Sequence, residues 1–239
     1  MQIIGHRGAR GEAPENTLVG FEYLRDLGLS AVEFDVRQLA DHELIVMHDD
    51  NFIRTAGVVQ DLYACTHSEL LGFNQASSWP NWPIQATPLL SQALKIMTGF
   101  QHIEVEVKAV ENMAEAERLV VRLQQELQGF EHNAVITSFD QQVLAVLQQQ
   151  SSPFKRGLLI ENPRLKHPIE LALSYGCCQI GWMDSLATNE RIAATHQADL
   201  QVSVWTVNDI DRAKQLRELG VNGLITDFPK RFQQQLNSA

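Results

Sequence analysis

Two hydrophobic periodicities alternate along the chain. Short apolar runs indicate buried strands, and stretches with an apolar residue every three or four positions indicate amphipathic helices. The predicted strands are residues 3–6, 31–39, 103–108, 134–138, 156–160, 178–181, 201–207 and 223–226, with one further strand at 43–48. The predicted helices are residues 17–27, 89–98, 113–127, 141–150, 168–175, 189–196 and 210–219, with a last helix that begins at Pro229.

When the strand at 43–48 is set aside, eight strands are each followed by a helix. This alternation predicts a parallel sheet. Eight such units in 239 residues fit an α/β fold of the (β/α)₈ type, the TIM barrel. An open doubly wound sheet is the alternative, but no Gly-x-Gly-x-x-Gly follows a strand, which disfavours its dinucleotide-binding form. We expect one barrel domain over residues 1–239.

Residues 50–87 interrupt this regularity. They contain a cluster of tryptophan and proline at 79–83, which is too aromatic for a flexible spacer. We therefore interpret the segment as an insertion or long loop and not as a linker.

Composition narrows the classes of function. The net charge of −10 argues against non-specific nucleic-acid binding, so an anionic substrate would need a metal ion, Arg or Lys close by. The three cysteines lack disulfide-framework or zinc-site spacing, and we expect buried or half-buried free thiols. The chain starts without a signal-peptide pattern, and no apolar run approaches the roughly 18 residues of a membrane span. We expect a cytoplasmic protein with no stable membrane association.

The first candidate site residues lie on the predicted second strand. Glu33 and Asp35 are two positions apart, so their side chains point to the same face. Paired carboxylates among apolar neighbours need a cation to neutralise them, and hard oxygen ligands suit Mg²⁺ or Ca²⁺. The alternative is a solvated edge strand with salt-bridged acids.

The strand at 103–108 repeats this arrangement. Glu104, Glu106 and Lys108 share one face, and the last two lie at the C-terminal end, where barrel enzymes perform their chemistry. Glu106 is a candidate third metal ligand, and Lys108 is a candidate contact for a phosphate oxygen. A purely structural Glu–Lys pair is the alternative.

His6 and His48 end two of the predicted strands. If the chain before His48 forms a hairpin that turns near His42, paired residue numbers sum to about 84, and His48 lies opposite Val36. His48 then returns to the level of Asp35, beside His6. Because the ordinary pKa of histidine is about 6.5, two imidazoles beside a metal suit a general acid and a general base. The same set also offers zinc ligands, but without the spacings typical of zinc sites.

Arg7 lies between Gly5 and Gly8, which permit a close backbone approach beside it. Its guanidinium offers a planar fork to phosphate, and a surface or salt-bridging arginine is the other reading. Asp49 either orients His48 through a ring nitrogen or caps the turn.

Two late strands also end in polar phrases. Trp205 either forms a wall of a pocket at the barrel mouth or packs in the core. Asp227 follows the last strand, and we interpret it as a cap for the terminal helix and not as a catalytic residue.

At these residues the sequence resembles the glycerophosphodiester phosphodiesterase family, from residue 6 to residue 227. The order of His-Arg-Gly, Glu-x-Asp and His-Asp is highly specific, whereas the C-terminal phrases are weaker alone. The matching phrases are His6-Arg7-Gly8, Pro14-Glu15-Asn16-Thr17, Glu33-x-Asp35, His48-Asp49, Arg54-Thr55, Glu106-x-Lys108, Trp205-Thr206-Val207-Asn208 and Gly223-Leu224-Ile225-Thr226-Asp227.

The resemblance implies a (β/α)₈ barrel with a small insertion after the second strand, here about residues 49–87. It also implies metal-dependent hydrolysis of a glycerophosphodiester to sn-glycerol 3-phosphate and an alcohol. By position, Glu33, Asp35 and Glu106 correspond to the family's metal ligands. His6 and His48 correspond to its acid/base pair, and Arg7 and Lys108 correspond to its phosphate contacts. Two departures are that Ser91 and Gln92 stand where the family often has acids, and that the short insertion leaves the alcohol side of the substrate undefined.

The predicted mechanism shares the phosphodiester charge among a metal ion, Arg7 and Lys108, while one histidine activates the nucleophile and the other protonates the leaving alkoxide. The sequence does not decide which histidine is the acid, or whether water attacks directly or a cyclic phosphate forms first. It also leaves open the choice between Mg²⁺ and Ca²⁺, the identity of the alcohol and the oligomeric state. One rival function is a lysophospholipase D-like activity, which the lack of an obvious basic amphipathic surface helix disfavours. Another is a non-catalytic phosphate-binding barrel.

Overall fold

The computed structural model describes residues 1–236 and contains a closed barrel of eight parallel strands. The first strand pairs with the last strand on one side and with the second strand on the other, so the sheet closes on itself. A helix follows each barrel strand along the chain. The predicted (β/α)₈ fold is therefore confirmed.

The strands and helices have the following bounds. The strands are β1 Gln2–His6, β2 Ala31–Gln38, β3 Leu44–Val46, β4 Asn51–Phe52, β5 Val58–Asp61, β6 His102–Val107, β7 Ala134–Ser138, β8 Lys155–Ile160, β9 Gln179–Met183, β10 Gln201–Trp205 and β11 Gly223–Thr226. The helices are α1 Leu18–Asp26, α2 Ile53–Ala56, α3 His67–Leu70, α4 Leu90–Ile96, α5 Met113–Glu126, α6 Gln141–Gln149, α7 Pro168–Ser174, α8 Asn189–Gln197, α9 Ile210–Glu218 and α10 Pro229–Leu236. Short 3₁₀ turns span Leu62–Ala64 and Asp184–Leu186.

The hairpin after β2 differs in register from the prediction. β3 runs antiparallel to β2 and pairs Val46 with Val36, so paired residue numbers sum to 82 and not 84. The connection after Leu39 is a three-residue loop that ends in the left-handed conformation, with a φ of 66° at His42, as loops of this length commonly do. His48 lies beyond the end of β3, and the predicted position opposite Val36 was wrong.

The main core lies between the barrel strands and the surrounding helices. Phe34 of β2 belongs to it and contacts the ring of Phe21 in α1, with centroids 5.8 Å apart. Because successive strand residues face opposite sides, Glu33 and Asp35 point into the barrel interior. Both faces of β2 are buried at this level, so the alternative of a solvated edge strand was wrong.

Residues 49–87, called the insertion below, pack around a second, smaller core. Phe52 and Leu62 pack there with Ile45 of β3. The ring of Trp82 contacts Tyr23 of α1, with centroids 5.9 Å apart. The aromatic cluster thus joins the insertion to the barrel, and the segment is not a spacer. Assignment of residues 1–239 to one domain stays a prediction, since residues 237–239 lie outside the described residues.

The cysteines agree with one further expectation. Cys65 and Cys177 are buried and Cys178 is half-buried, all as free thiols. Within residues 1–236, no helix combines the length and the apolar character that crossing a membrane requires.

Candidate active site

Strand register brings the predicted site residues together. β1 and β2 place His6 beside Glu33, and β2 and β6 place Asp35 beside Glu106. Lys108 follows directly after β6. Because parallel strands of a barrel end at the same rim, these side chains meet at its C-terminal mouth.

Glu33, Asp35 and Glu106 form a carboxylate cluster, in which one oxygen from each residue lies within 4.8 Å of the others. Burial, together with the charge of Asp35, raises the pKa of Glu33 well above its ordinary range. The same two causes raise the pKa of Glu106 to about 7. Burial and the neighbouring carboxylate therefore disfavour the ionised forms of Glu33 and Glu106, which a bound cation would favour.

Lys108 and Arg7 both contact the middle member of this cluster. Nζ of Lys108 lies 2.6 Å from Oδ1 of Asp35 and also contacts Glu106. Nε of Arg7 lies 3.2 Å from Oδ2 of Asp35. Burial opposes ionisation of Asp35, but the two cations outweigh burial and lower its pKa. The two predicted phosphate contacts thus lie directly against the carboxylate cluster.

The donor set fits a hard divalent cation. Oε1 of Glu33 and Oδ1 of Asn16 are buried and have no hydrogen-bond partner among the described residues. Asn16 belongs to the cluster's surroundings, because its Nδ2 donates to Oδ2 of Asp35 at 2.8 Å. Carboxylate and amide oxygens are the ligands that Mg²⁺ and Ca²⁺ prefer. The residues present therefore fit the metal that the family resemblance implies.

The loop after β1 is folded tightly against the cluster. A Cβ on Gly5 would lie 2.0 Å from the carbonyl oxygen of Gly8, so no larger residue fits at Gly5 without movement of the loop. Arg7 has a left-handed φ of 50°, and its backbone N–H donates to Oε2 of Glu33 at 3.1 Å. This is the close backbone approach predicted for the two glycines.

His6 is paired with Asp227, a residue to which the sequence assigned another role. Nδ1 of His6 lies 2.6 Å from Oδ1 of Asp227, and Oδ2 of Asp227 accepts from Nδ2 of Asn208 at 2.8 Å. Burial opposes ionisation of Asp227, but the hydrogen bond with His6 outweighs it and the pKa is lowered. An ionised carboxylate only accepts, so Nδ1 carries the proton, and Nε2 lies 3.9 Å from Oε2 of Glu33. We expected a helix cap, and that interpretation was wrong: the carboxylate of Asp227 orients His6.

The ring of His48 is oriented in an equivalent way. Its Nδ1 lies 2.6 Å from Oδ1 of Asp49, so the orienting role is the one of the two readings that the geometry supports. Burial lowers the pKa of His48, Lys108 and Arg7 act in the same direction, and Asp35 opposes them. Burial also lowers the pKa of His6, against the opposing effect of its own aspartate. Both imidazoles are therefore mainly neutral near pH 7.

Trp205 lies at the end of β10 and both packs and faces the site. Its Nε1 donates to the carbonyl oxygen of Gly181 at 3.0 Å, and its ring contacts Phe139 edge-on, with centroids 5.4 Å apart. It also lines a small cavity in the barrel interior together with His6 and Glu106. A role in substrate binding stays a prediction.

The sequence model of the glycerophosphoryl diester phosphodiesterase family matches residues 6–231. The chain belongs to this family. The matched range includes the carboxylate cluster and both His–Asp pairs. Members of the glycerophosphoryl diester phosphodiesterase family are hydrolases, and the chain is thus an enzyme of a hydrolase family.

Individual relatives agree with this assignment. A glycerophosphodiester phosphodiesterase of Bacillus altitudinis is 27% identical over 240 residues, which cover 96% of each chain. A solved structure from Silicibacter pomeroyi DSS-3, assigned to glycerophosphoryl diester phosphodiesterases, has a TM-score of 0.89 at 25% identity and covers 100% of this chain and 93% of its own. A phosphodiesterase of Oleispira antarctica, solved with the product sn-glycerol-3-phosphate, has a TM-score of 0.88 at 22% identity over 99% and 97% of the two chains. This last likeness shows the fold.

Two charged residues of the site received no role from the sequence. Glu15 and Arg54 both appear in phrases that match the family, but nothing in those phrases indicates that the two side chains contact each other across 39 positions. The available signal was that Glu15 lies beside Asn16 in a loop that follows a barrel strand, where functional residues concentrate.

Proposed function

We propose that the protein hydrolyses glycerophosphodiesters to sn-glycerol 3-phosphate and an alcohol, in a reaction that depends on a divalent metal ion. The observation that carries this proposal is the placement of two His–Asp pairs, each with a 2.6 Å contact, around one buried carboxylate cluster. Hydrolysis of a phosphodiester requires removal of one proton from the nucleophile and delivery of one to the leaving oxygen, and two oriented imidazoles suit these tasks. Family membership and the product in the Oleispira structure support the substrate class.

Glu33, Asp35 and Glu106 would hold the metal ion, and the free amide oxygen of Asn16 is available as a further ligand. When bound, a divalent cation supplies positive charge for the phosphodiester oxygens. Mg²⁺ and Ca²⁺ both accept such a set of oxygen ligands.

Arg7 and Lys108 provide the protein's own positive charge for the substrate phosphate. Both contact Asp35, so their charged groups are held where the phosphate of a bound diester would lie against the cluster. The guanidinium of Arg7 suits paired hydrogen bonds to two phosphate oxygens. Trp205, which lines the interior cavity, forms one wall of the substrate site.

The histidines hold and move the protons at Nε2. In both His6 and His48, the paired aspartate keeps a proton on Nδ1 and leaves Nε2 to react. In one ring, Nε2 accepts a proton from the nucleophile. In the other ring, protonated Nε2 donates its proton to the leaving oxygen. One P–O bond forms as the P–O bond to the alcohol breaks. The nucleophile is either water or a hydroxyl of the substrate's glycerol, and only the second route passes through a cyclic phosphate, which ³¹P NMR of early time points would detect.

A panel of glycerophosphodiesters, with choline, ethanolamine and glycerol as the alcohol, tests the proposal after chelation with EDTA and readdition of Mg²⁺ or Ca²⁺. We expect release of sn-glycerol 3-phosphate, its loss on chelation and its return with one of the ions. Hydrolysis of a micellar lysophospholipid without hydrolysis of any soluble diester would favour lysophospholipase D activity instead. Binding of the diesters without turnover would indicate a phosphate-binding barrel.

A further inference from the structure

The insertion begins with the residue that orients His48. Asp49 is its first residue, and its Oδ1 contacts Nδ1 of His48 at 2.6 Å. The side chain of His48 is 35% exposed, compared with 11% for His6, so packing alone constrains the His48 ring less. Whatever fixes the carboxylate of Asp49 therefore also fixes the ring of His48.

Arg54 fixes Asp49 and joins it to the barrel. Its Nε donates to Oδ2 of Asp49 at 2.8 Å, and its Nη2 donates to Oδ1 of Asp49 at 3.0 Å. On the other side, Nη1 and Nη2 donate to the two oxygens of Glu15, each at 2.7 Å. A planar guanidinium with paired bonds to two carboxylates holds both in one relative orientation, which a lysine does not reproduce.

Glu15 is a firm anchor for this contact. It lies in the loop that follows β1, its side chain is 11% exposed, and it also accepts from Arg7 at 2.8 Å and from Arg10 at 3.1 Å. Burial opposes ionisation of Glu15, but Arg54 and Arg7 outweigh it and lower its pKa to about 2. The carboxylate is thus charged throughout the neutral range.

A second arginine holds the backbone of His48 from the barrel side. Nε and Nη2 of Arg37, on β2, donate to the carbonyl oxygen of His48 at 2.9 and 2.6 Å. Nη1 of Arg37 contacts the hydroxyl of Tyr63 in the insertion. The main chain of His48 is therefore fixed independently of Arg54, and the contact through Asp49 is the one that acts on the ring.

Arg54 links the surroundings of the two histidines in addition to pairing charges. Its side chain is 42% exposed, where an isolated ion pair contributes little to folding free energy, but its paired bonds form part of a network of charges. Within residues 1–236, its hydrogen bonds go to Asp49 and Glu15, which lead to His48 on one side and to the loop of His6 and Arg7 on the other.

We propose that Arg54 is a positioning residue: by joining Asp49 to Glu15, it docks the insertion on the loop after β1 and keeps the ring of His48 in the tautomer and orientation that the reaction uses. The inference rests on the proposed function, because it assigns Arg54 a part in that reaction. Arg54 acts through Asp49 and does not itself contact the carboxylate cluster in the described residues.

Steady-state kinetics of Arg54→Gln and Arg54→Lys test the proposal, with Arg122→Gln as the matched control. Arg122 is 43% exposed and also binds two carboxylates, Glu43 and Glu126, but lies outside the site. With glycerophosphocholine as substrate, we expect Arg54→Gln to lower kcat roughly 10- to 100-fold while KM stays within about threefold, because catalytic geometry and not substrate binding is lost. Arg54→Lys should retain an intermediate kcat, and Arg122→Gln should match the wild type. A kcat of Arg54→Gln within about twofold of the wild type would overturn the proposal.

The tautomer of His48 provides a readout that does not require turnover. In ¹⁵N-histidine NMR spectra, with His48 assigned from its missing signals in His48→Ala, we expect the Nδ1–H tautomer in the wild type and in Arg122→Gln, and loss of that preference in Arg54→Gln. If Arg54→Gln melts below the measuring temperature, Arg54→Lys, which keeps the positive charge but not the paired bonds to Asp49 and Glu15, takes its place. Unchanged His48 signals in the folded variant would contradict the proposal even if kcat falls. A wild type inactive on every diester would instead contradict the proposed function, and the tautomer would still decide the role of Arg54.

Discussion

The two imidazoles of the site differ in how they are enclosed. The side chain of His6 is 11% exposed and that of His48 is 35% exposed, yet each has Nδ1 2.6 Å from an aspartate oxygen. The amide of Asn208 donates to the aspartate of His6, and Nη1 of Arg10 lies 4.0 Å from that aspartate, whereas Arg54 donates two hydrogen bonds to the aspartate of His48. The two rings therefore have the same tautomer in different electrostatic surroundings, which suits groups with opposite proton-transfer tasks.

Removal of either imidazole should abolish most of the activity. We expect His6→Ala and His48→Ala each to lower kcat by roughly 10²–10⁴-fold, the range typical of a lost general acid or base. Circular dichroism and thermal melting should show that both variants keep the fold. Near-wild-type turnover in either purified variant would refute its assignment.

Asp227→Asn should lower activity through the tautomer of His6. An asparagine amide donates to Nδ1 and so leaves the proton on Nε2, the nitrogen that faces Glu33. We expect kcat to fall by roughly 10²–10⁴-fold with little change in KM. Asp211→Asn, an exposed aspartate that pairs with Lys214, is the control. A variant with lower thermal stability but unchanged kcat would show that Asp227 has a structural role only.

The sequence identified most of the site residues but not the side chains that contact them. Alternation predicted that Glu33 and Asp35 share one face of β2 and made Glu106 of β6 a candidate third metal ligand, and the structure brings the three together. The partner of His6 was missed because it lies 221 positions away, where no local spacing points to it. Local reasoning favoured a cap for Asp227 because capping depends only on neighbours in the chain.

At the scale of elements, periodicity predicted the eight βα units but not how a hairpin turns. The turn was placed symmetrically about His42, whereas the actual loop ends at His42 with a φ of 66°. A loop of this kind moves the centre of the hairpin by one residue, so each residue of β3 pairs two positions away from its predicted partner. A shift of two residues keeps the same faces buried, and the hydrophobic pattern of the strands therefore does not reveal it. The small core of the insertion was also not predictable, because its residues come from short, irregular segments.

The docking of the insertion should weaken in acid. The pKa of Glu15 and that of Asp49 are each lowered to about 2. Burial opposes the ionisation of both, but it is outweighed by the hydrogen bonds from Arg54, together with Arg7 at Glu15 and His48 at Asp49. Because their folded pKa values lie below the unfolded ones, these groups contribute stability above about pH 4.5 that is lost as the pH falls towards 2.

Glu15→Gln isolates this contribution. We expect the variant to be less stable than the wild type near pH 7, and to lose less free energy of unfolding than the wild type between pH 5 and pH 3. Urea unfolding at pH 7, 5, 4 and 3 provides the measurement. Parallel pH profiles for the two proteins would show that the contact between Glu15 and Arg54 contributes nothing to acid stability.

At the scale of the whole molecule, metal binding should stabilise the barrel, because its ligands come from two neighbouring strands, β2 and β6. A ligand at 100 times its Kd adds about 2.7 kcal/mol to the free energy of unfolding, which in a protein of this size raises Tm by roughly 5–10 °C. The pKa of Glu106, raised to about 7 chiefly by burial, means that this carboxyl group is largely protonated at pH 6 and must lose its proton to bind a cation.

We therefore expect Mg²⁺ or Ca²⁺ to raise Tm more at pH 8 than at pH 6 at the same ion concentration. Differential scanning calorimetry of the EDTA-treated protein measures the shift, and Glu106→Gln serves as the variant in which most of it should disappear. An equal shift in that variant would place the ion away from the carboxylate cluster.

The closure of the barrel by β1 and β11 also sets the order in which the site is completed during synthesis. The carboxylates between residues 33 and 106 leave the ribosome well before Asp227, which follows the last strand and lies 221 positions after its partner His6. A chain that stops short of this strand retains the residues of the carboxylate cluster but lacks the aspartate that orients His6. On the proposed mechanism, full activity should therefore appear only once the last strand has been translated and has joined the first.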